Sequence, residues 1–271
     1  MAEIGSYLGG DTPRVEMIRD VATLRAFLVA EPEKTAYFLG DLDPRYFHAT
    51  RWYAERDHSG LSALLMLYLG HSFPGVLTYG APDALRRIFG HVSEILPERF
   101  DVHHFEEHLE TLHGLFRDGR QRVFVRMALD ANDFIAQPDL SEVHRLVHSD
   151  TAELARLYAR TGLTFFDPYQ IETGFYFGIR RNGRLVSAAG VHVVSEESRV
   201  AAIGNVATHP DYRRRGLSKR CTGRLVAALL RRVRTIVLNV ERHNEDAIQL
   251  YRSLGFREHC LLFSRRVEPR P

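Results

Sequence analysis

Residues 205–220 read Asn-Val-Ala-Thr-His-Pro-Asp-Tyr-Arg-Arg-Arg-Gly-Leu-Ser-Lys-Arg. The apolar run Val200–Thr208 leads in as a strand, and Pro210 cannot continue a ladder. Beyond it, Leu217, Cys221, Leu225, Ala228 and Leu229 recur at helical spacing over Gly216–Arg232. The order is therefore strand, tight basic loop, helix. A helix that starts there turns its free N–H groups and its positive dipole end toward the loop, which suits an anion. Gly216 removes a Cβ where a phosphate has to come close. Arg213, Arg214, Arg215, Lys219 and Arg220 stand in or before the first helical turn. Cations there oppose the dipole by roughly 0.3–1 kcal/mol each when exposed. A helix built for stability alone carries acids at this end, whereas a ligand with several phosphates reverses the sign. The alternative is a solvated basic loop. Arg231, Arg232 and Arg234 lie at the other end of the helix, where cations are favourable anyway.

About thirty residues on, Leu238–Phe256 reads Leu-Asn-Val-Glu-Arg-His-Asn-Glu-Asp-Ala-Ile-Gln-Leu-Tyr-Arg-Ser-Leu-Gly-Phe. Asn244 fits a helix N-cap, Glu245 and Asp246 fill the first turn, and Gly255 suits the C′ position. Ala247, Leu250, Tyr251 and Leu254 mark the buried face. Asn244 and Tyr251 fall on nearly the same face. Taken alone, Asn244 reads as a cap and Tyr251 as a core aromatic.

The two segments together resemble the GNAT superfamily of acetyl-CoA-dependent N-acetyltransferases. Arg213-Arg214-Arg215-Gly216-Leu217-Ser218 is similar to its pyrophosphate motif Arg/Gln-x-x-Gly-x-Gly/Ala, with Ser218 departing at the third small position. Asn244 to Phe256 matches Asn-x-x-Ala-x-x-Leu-Tyr-x-x-x-Gly-Phe without a gap. The resemblance runs from about Val143 to Arg266. It implies acetyl-CoA or another acyl-CoA as cosubstrate, no metal, and direct acyl transfer to a primary amine in a ternary complex. By the same resemblance Val206, Ala207 and Thr208 bind the acyl carbonyl and pantetheine, and the segment Arg213–Lys219, with Leu217 and Ser218 inside it, binds the pyrophosphate. Asn239 and Asn244 join the cofactor set, and Tyr251 stands beside the thioester sulfur as the proton donor to the leaving thiolate. Many members carry a glutamate base where this chain has Asn239, and a neutral amide takes no proton. The base candidates are Glu241, His192, or a water held by Asn205 or Asn239. Cys221 falls on an apolar helical stripe and reads as packing.

The whole chain reads as α/β or α+β, with a mixed, mostly antiparallel sheet flanked by helices. The expected division is 1–135, an α/β domain, and 141–271, the catalytic domain, with the break in the Asp- and Pro-rich stretch Leu129–Val143. Leu61–Leu129 has a strand and helix order like a degenerate copy of the second half, as in two-lobed GNAT proteins. Its turn after Tyr79 lacks the basic glycine loop. Tyr46–Tyr53 reads as an amphipathic core helix, with a substrate-facing wall as the alternative, and Glu106–Phe116 as a helix. His103, His104, His108 and His113 show no metal spacing.

Of the 271 residues, 45% are hydrophobic and 26% charged, with net charge +2, so no bulk attraction to nucleic acid or membrane follows. Two cysteines make no disulfide framework. No run of about 18 apolar residues and no leader at the N-terminus are seen, so a cytoplasmic setting is expected. The expected partners are an acyl-CoA and an amine acceptor, preferably a small molecule, with a homodimer left open. Alternatives are a protein or peptide acetyltransferase, a non-catalytic acyl-CoA-binding regulatory module, and a nucleic-acid binder.

Overall fold

A computed structural model describes residues 13–70, 73–113, 115–116, 120–163 and 166–267. Residues 1–12, where no leader is expected, lie outside them. Along the chain run β1 (Arg14–Ile18), α1 (Val21–Leu28), α2 (Pro32–Asp41), α3 (Pro44–Phe47), β2 (Thr50–Asp57), β3 (Gly60–Tyr68) and β4 (Gly75–Gly80). Then come α4 (Pro82–Val92), β5 (Phe100–Phe105), α5 (Leu109–Leu112), β6 (Gln121–Asp130), β7 (His144–Arg145) and α6 (Thr151–Thr161). The chain ends with β8 (Phe177–Arg181), β9 (Arg184–Ser195), β10 (Val200–Thr208), α7 (Leu217–Leu229), β11 (Thr235–Glu241), α8 (Glu245–Arg252) and β12 (Arg257–Val267). The fold class is the expected one: α/β, with mostly antiparallel strands flanked by helices. No helix among the described residues is long and apolar enough to cross a membrane.

Two compact units form, and neither is contiguous in sequence. Within the described residues, one holds 13–27, 49–121 and 263–267; the other holds Leu28–His48 and Arg122–Leu262. This differs from the expected split into 1–135 and 141–271. The reason is pairing: β6 lies antiparallel to β11, with Arg126 opposite Asn239. Helix α2, early in sequence, packs across β9, β10 and β11.

In the first unit the strands run β1-β2-β3-β4-β5, antiparallel except that β4 and β5 are parallel with α4 between them. Leu65, Val76, Leu85, Ile88, Phe89 and Phe100 build its core. Tyr46–Tyr53 is not one helix. Helix α3 stops at Phe47, and Thr50 opens β2, where Trp52 faces Met66 and its indole N–H donates to Thr50 Oγ1 at 2.6 Å. Aromatic and β-branched side chains gain cross-strand packing that a helix does not offer. The helix expected over Glu106–Phe116 shrinks to a 3-10 turn at Glu106–His108 followed by α5. His108, fully buried, meets Thr78 Oγ1 and the Gly80 carbonyl at 2.9 Å each, which binds this turn to β4.

The second unit has the order β6-β11-β10-β9-β8-β7. Asn182 (φ 50°) and Gly183 (φ 73°) make the tight turn of the β8–β9 hairpin, since both residues adopt the positive φ a type I′ turn requires. Strands β8, β9 and β10 are antiparallel, α7 follows, and β11 lies parallel to β10. Apolar faces of α6, α7 and α8 close the core, through Leu157, Leu225, Val226 and Ile248 among others. Gly255 ends the last turn at φ 101°, and a Cβ there would lie 2.0 Å from the Asp133 carbonyl oxygen. Gly255→Ala is therefore expected to lower the unfolding free energy by about 2 kcal/mol or more, from backbone strain plus the clash, read as a lower midpoint in urea.

Candidate active site

The parallel ladder joins Val200–Ile203 of β10 to Thr235–Leu238 of β11 and goes no further. Both strands continue, to Thr208 and to Glu241. From Gly204 onward β10 thus has no parallel partner, and the strands part. Asn205 causes part of this. It sits at φ 55°, inside an irregularity between Gly204 and Ala207. Its backbone oxygen accepts from Tyr158 Oη at 2.7 Å, and its Nδ2 donates to Gln170 Oε1 at 3.0 Å and Tyr176 Oη at 2.8 Å. Buried Asn205 Oδ1 has no hydrogen-bond partner among the described residues. Val206, Ala207 and Thr208 line the opened edge, with Ala207 and Thr208 still paired to Ala188 and Ser187 of β9.

The loop after β10 holds its cations apart from acids. Arg213 Nε donates to the Thr208 carbonyl at 3.4 Å, and Arg215 Nη2 donates to that of Asp211 at 3.2 Å. The Arg215 guanidinium also lies 5.2 Å from the Tyr212 ring. Arg213, Arg214, Arg215 and Lys219 have no carboxylate partner among the described residues. Arg220 differs: it pairs with Glu142, which also takes Arg181. Arg214 adopts φ 60°, costly for a side-chain-bearing residue, and Gly216 follows at φ 72° as the N-cap of α7. No side chain caps this end and no acid occupies its first turn. The first turn closes with Arg220 N–H on the Gly216 carbonyl at 3.2 Å, which leaves the amides of Leu217, Ser218 and Lys219 without intrahelical acceptors. Four unpaired cations beside three free amides suit a polyphosphate. Cys221 lies fully buried on α7, and burial pushes its thiol up to about 12, so it stays protonated and packs.

Helix α8 begins beside β11. Asn244 Oδ1 accepts from Ala247 N–H at 3.2 Å, so the residue does cap the helix while its Nδ2 stays free to donate. Tyr251, only 9% exposed, meets Phe256 edge-on at 5.9 Å. Burial, then the neighbouring Tyr37, push its hydroxyl up to about 12. Asn239 Oδ1 accepts from Arg126 Nε at 2.6 Å. Glu241 is engaged by Arg122 and by His243 Nε2 at 3.2 Å. The His192 ring sits 6.0 Å from that of Tyr37 and rests on Gly204, where any Cβ would fall 2.0 Å from its Nε2.

Three residues here escape a reading of the C-terminal half alone. Tyr37 and Asp41 come from α2, one helical turn apart. Arg126, on β6, is buried; its Nη1 donates to the Glu33 and Lys34 carbonyls at 2.9 Å each, and its guanidinium lies 5.0 Å from the Tyr37 ring. It binds α2 to β6 and β11. The available signal was Asp41 itself, an acid within Phe38-Leu-Gly-Asp-Leu42.

Residues 140–256 match the family model described as Acetyltransferase (GNAT) family. This part of the chain is similar to the GNAT family of acetyltransferases. The ribosomal protein bS18 alanine N-acetyltransferase of Escherichia coli K12 is 38% identical over 94 residues, 34% of this chain and 62% of the relative. Its Salmonella typhimurium counterpart is 41% identical over 76 residues, 28% and 49% of the respective chains. The chain thus spans less than two thirds of the length of these relatives. Among solved structures, a Drosophila protein has the same fold at a TM-score of 0.70, with 14% identity over 95% of this chain and 99% of that one. A tandem GNAT protein from the clavulanic acid biosynthesis pathway aligns at a TM-score of 0.60, with 13% identity over 96% and 100%.

Proposed function

We propose that the protein is an N-acetyltransferase that moves an acetyl group from acetyl-CoA to a primary amine by direct transfer in a ternary complex. One observation carries this: the unpaired cations and free amides at the start of α7 stand directly after the strand edge that β11 abandons. The first suits a pyrophosphate; the second offers backbone groups to an extended amide-bearing arm. Val206, Ala207 and Thr208 would hold the acyl end, Arg213 to Lys219 the phosphates, and Asn244 Nδ2 the arm between them. Tyr251 stays protonated and supplies the leaving thiolate with a proton.

A second reading, acceptance of a protein α-amine, is favoured by the name of the enterobacterial relatives. The first unit fits a degenerate copy of the same fold. Its antiparallel β2-β3-β4, helix α4 and parallel β5 repeat the order β8-β9-β10, α7, β11. Its turn Gly80-Ala-Pro-Asp83 carries no cation, which supports assigning the phosphate seat to the second unit.

Thermal melting with acetyl-CoA, longer acyl-CoAs and an oligonucleotide tests the reading. Saturable stabilisation by CoA esters is expected, at about 2.7 kcal/mol when the ligand stands at a hundred times its dissociation constant. Thiol release with amines, including an alanine-initiated peptide, then separates the acceptor classes. No response to any CoA ester sinks the proposal.

A further inference from the structure

Asp41 is a charge where stability alone would not put one. It closes α2, at the end of a helix that disfavours anions. It is 8% exposed and has no hydrogen-bond or ion-pair partner among the described residues. A buried carboxylate without a partner costs stability and is usually retained for a task. Its surroundings define the task. Gly40 beside it lies so close to β9 that a Cβ would fall 2.4 Å from that of Val193, so this end of α2 is pressed onto the sheet. One turn back, Tyr37 lies beside His192 of β9 and Arg126 of β6, and it interacts electrostatically with Asp41 on one side and with Tyr251 on the other. Asp41, Tyr37 and Tyr251 thus form a row leading to the residue proposed to protonate the thiolate.

The charged and titratable groups nearby are engaged elsewhere. Arg126 serves Asn239 and the Glu33 and Lys34 carbonyls. Arg45 and Asp43, just after α2, satisfy each other at 2.8–2.9 Å. Strand β10 offers the amide Asn205, and β11 the amide Asn239 and the carboxylate Glu241, which Arg122 and His243 engage. Among the described residues no cation pairs with Asp41, and the amine acceptor is one.

We infer that Asp41 receives the acceptor's primary ammonium and removes the proton that blocks its attack; this rests on the acetyltransferase reading above. One N–H proton passes to the carboxylate. The nitrogen lone pair forms the C–N bond at the thioester carbonyl, the C–S bond breaks, and the thiolate takes the Tyr251 proton. The second proton leaving nitrogen restores that tyrosine, and Asp41 returns its own to water. The net change is ammonium plus acetyl-CoA to amide, free thiol and one proton. Burial supports the role, since it raises the Asp41 carboxyl to about 8. An ordinary carboxylate lies roughly 6 units below an alkylammonium, too weak to hold its proton, whereas this one lies about 2 units below.

The test compares full-length wild type with Asp41→Asn, using butylamine, glucosamine, an alanine-initiated hexapeptide and hydroxylamine, which is already neutral near neutral pH. Acetyl-CoA should stabilise both proteins equally. Thiol release with the best alkylammonium acceptor should fall about 100-fold or more in the variant, with hydroxylamine affected by less than about 5-fold. The wild-type kcat/KM should rise with pH to a plateau above about 8, a limb the variant lacks. The ligand-free variant should melt higher than wild type near pH 9 and approach it near pH 5. The sign follows from linkage: a carboxyl raised on folding takes stability away as pH rises from its unfolded value through its folded one. Equal loss with hydroxylamine, or unchanged turnover with intact acetyl-CoA stabilisation, overturns Asp41's role and leaves the acetyltransferase reading standing. Wild type that neither binds acetyl-CoA nor acetylates any amine overturns both.

Discussion

Lys219→Glu is expected to weaken acetyl-CoA binding by about 10–100-fold while leaving the ligand-free protein as stable as wild type or more so. The two effects have opposite signs for a physical reason. Lys219 lies in the first turn of α7, where no acid is present and no carboxylate neutralises it among the described residues. An acid there gains roughly 0.3–1 kcal/mol from the helix dipole, so the ligand-free fold has nothing to lose. The bound state loses a charge-assisted contact of about 1.5–3 kcal/mol and gains repulsion from phosphate, which at 1.4 kcal/mol per tenfold gives the stated range. Adding Arg214→Glu should deepen the loss. Calorimetry at low and high ionic strength checks both parts, because the wild-type advantage should shrink as salt screens the loop. Undiminished affinity in the double variant would move the phosphates away from this loop.

That opposition explains why a candidate phosphate loop can be read from sequence. Arg213-Arg-Arg-Gly-Leu-Ser218 is local: its chemistry lies in consecutive residues, and cations at the wrong helix end can be recognised without coordinates. The same holds for Asn244 and Tyr251, tied by helical spacing. The two elements failed differently. Tyr46–Tyr53 is rich in aromatics that suit a helix face or a strand equally, and only its pairing with Met66 and Leu65 decides. Asp41 and Tyr37 are about two hundred residues from Tyr251 in sequence. No periodicity announces that α2 packs across β9, β10 and β11, because long-range packing is a property of the sheet's order and not of any one segment. The base candidates suffered from the same blindness. Glu241 was visible as an acid two residues after Asn239, whereas its engagement by Arg122 across the β6–β11 ladder was not.

Tyr251→Phe is expected to lower kcat by about 100-fold or more, with little change in acetyl-CoA affinity. The ring keeps its edge contact with Phe256 and its place in the core, so packing survives and only the hydroxyl is lost. General acid catalysis contributes typically 10²–10⁴-fold, and a thiolate that must leave unprotonated forfeits it. The pH dependence separates this residue from Asp41. Burial raises the tyrosine to about 12, so it remains a donor through the alkaline range and adds no falling limb below that. Asp41, raised to about 8, governs the rising limb instead. In Tyr251→Phe the rising limb should therefore persist at a lower plateau, while in Asp41→Asn it should vanish. Leaving-group chemistry gives a further check: a thioester whose thiol is more acidic needs less protonation, so it should restore much of the Tyr251→Phe rate and little of the Asp41→Asn rate. Recovery of both variants alike, or of neither, would break the assignment of donor and acceptor of protons to opposite sides of the acyl group.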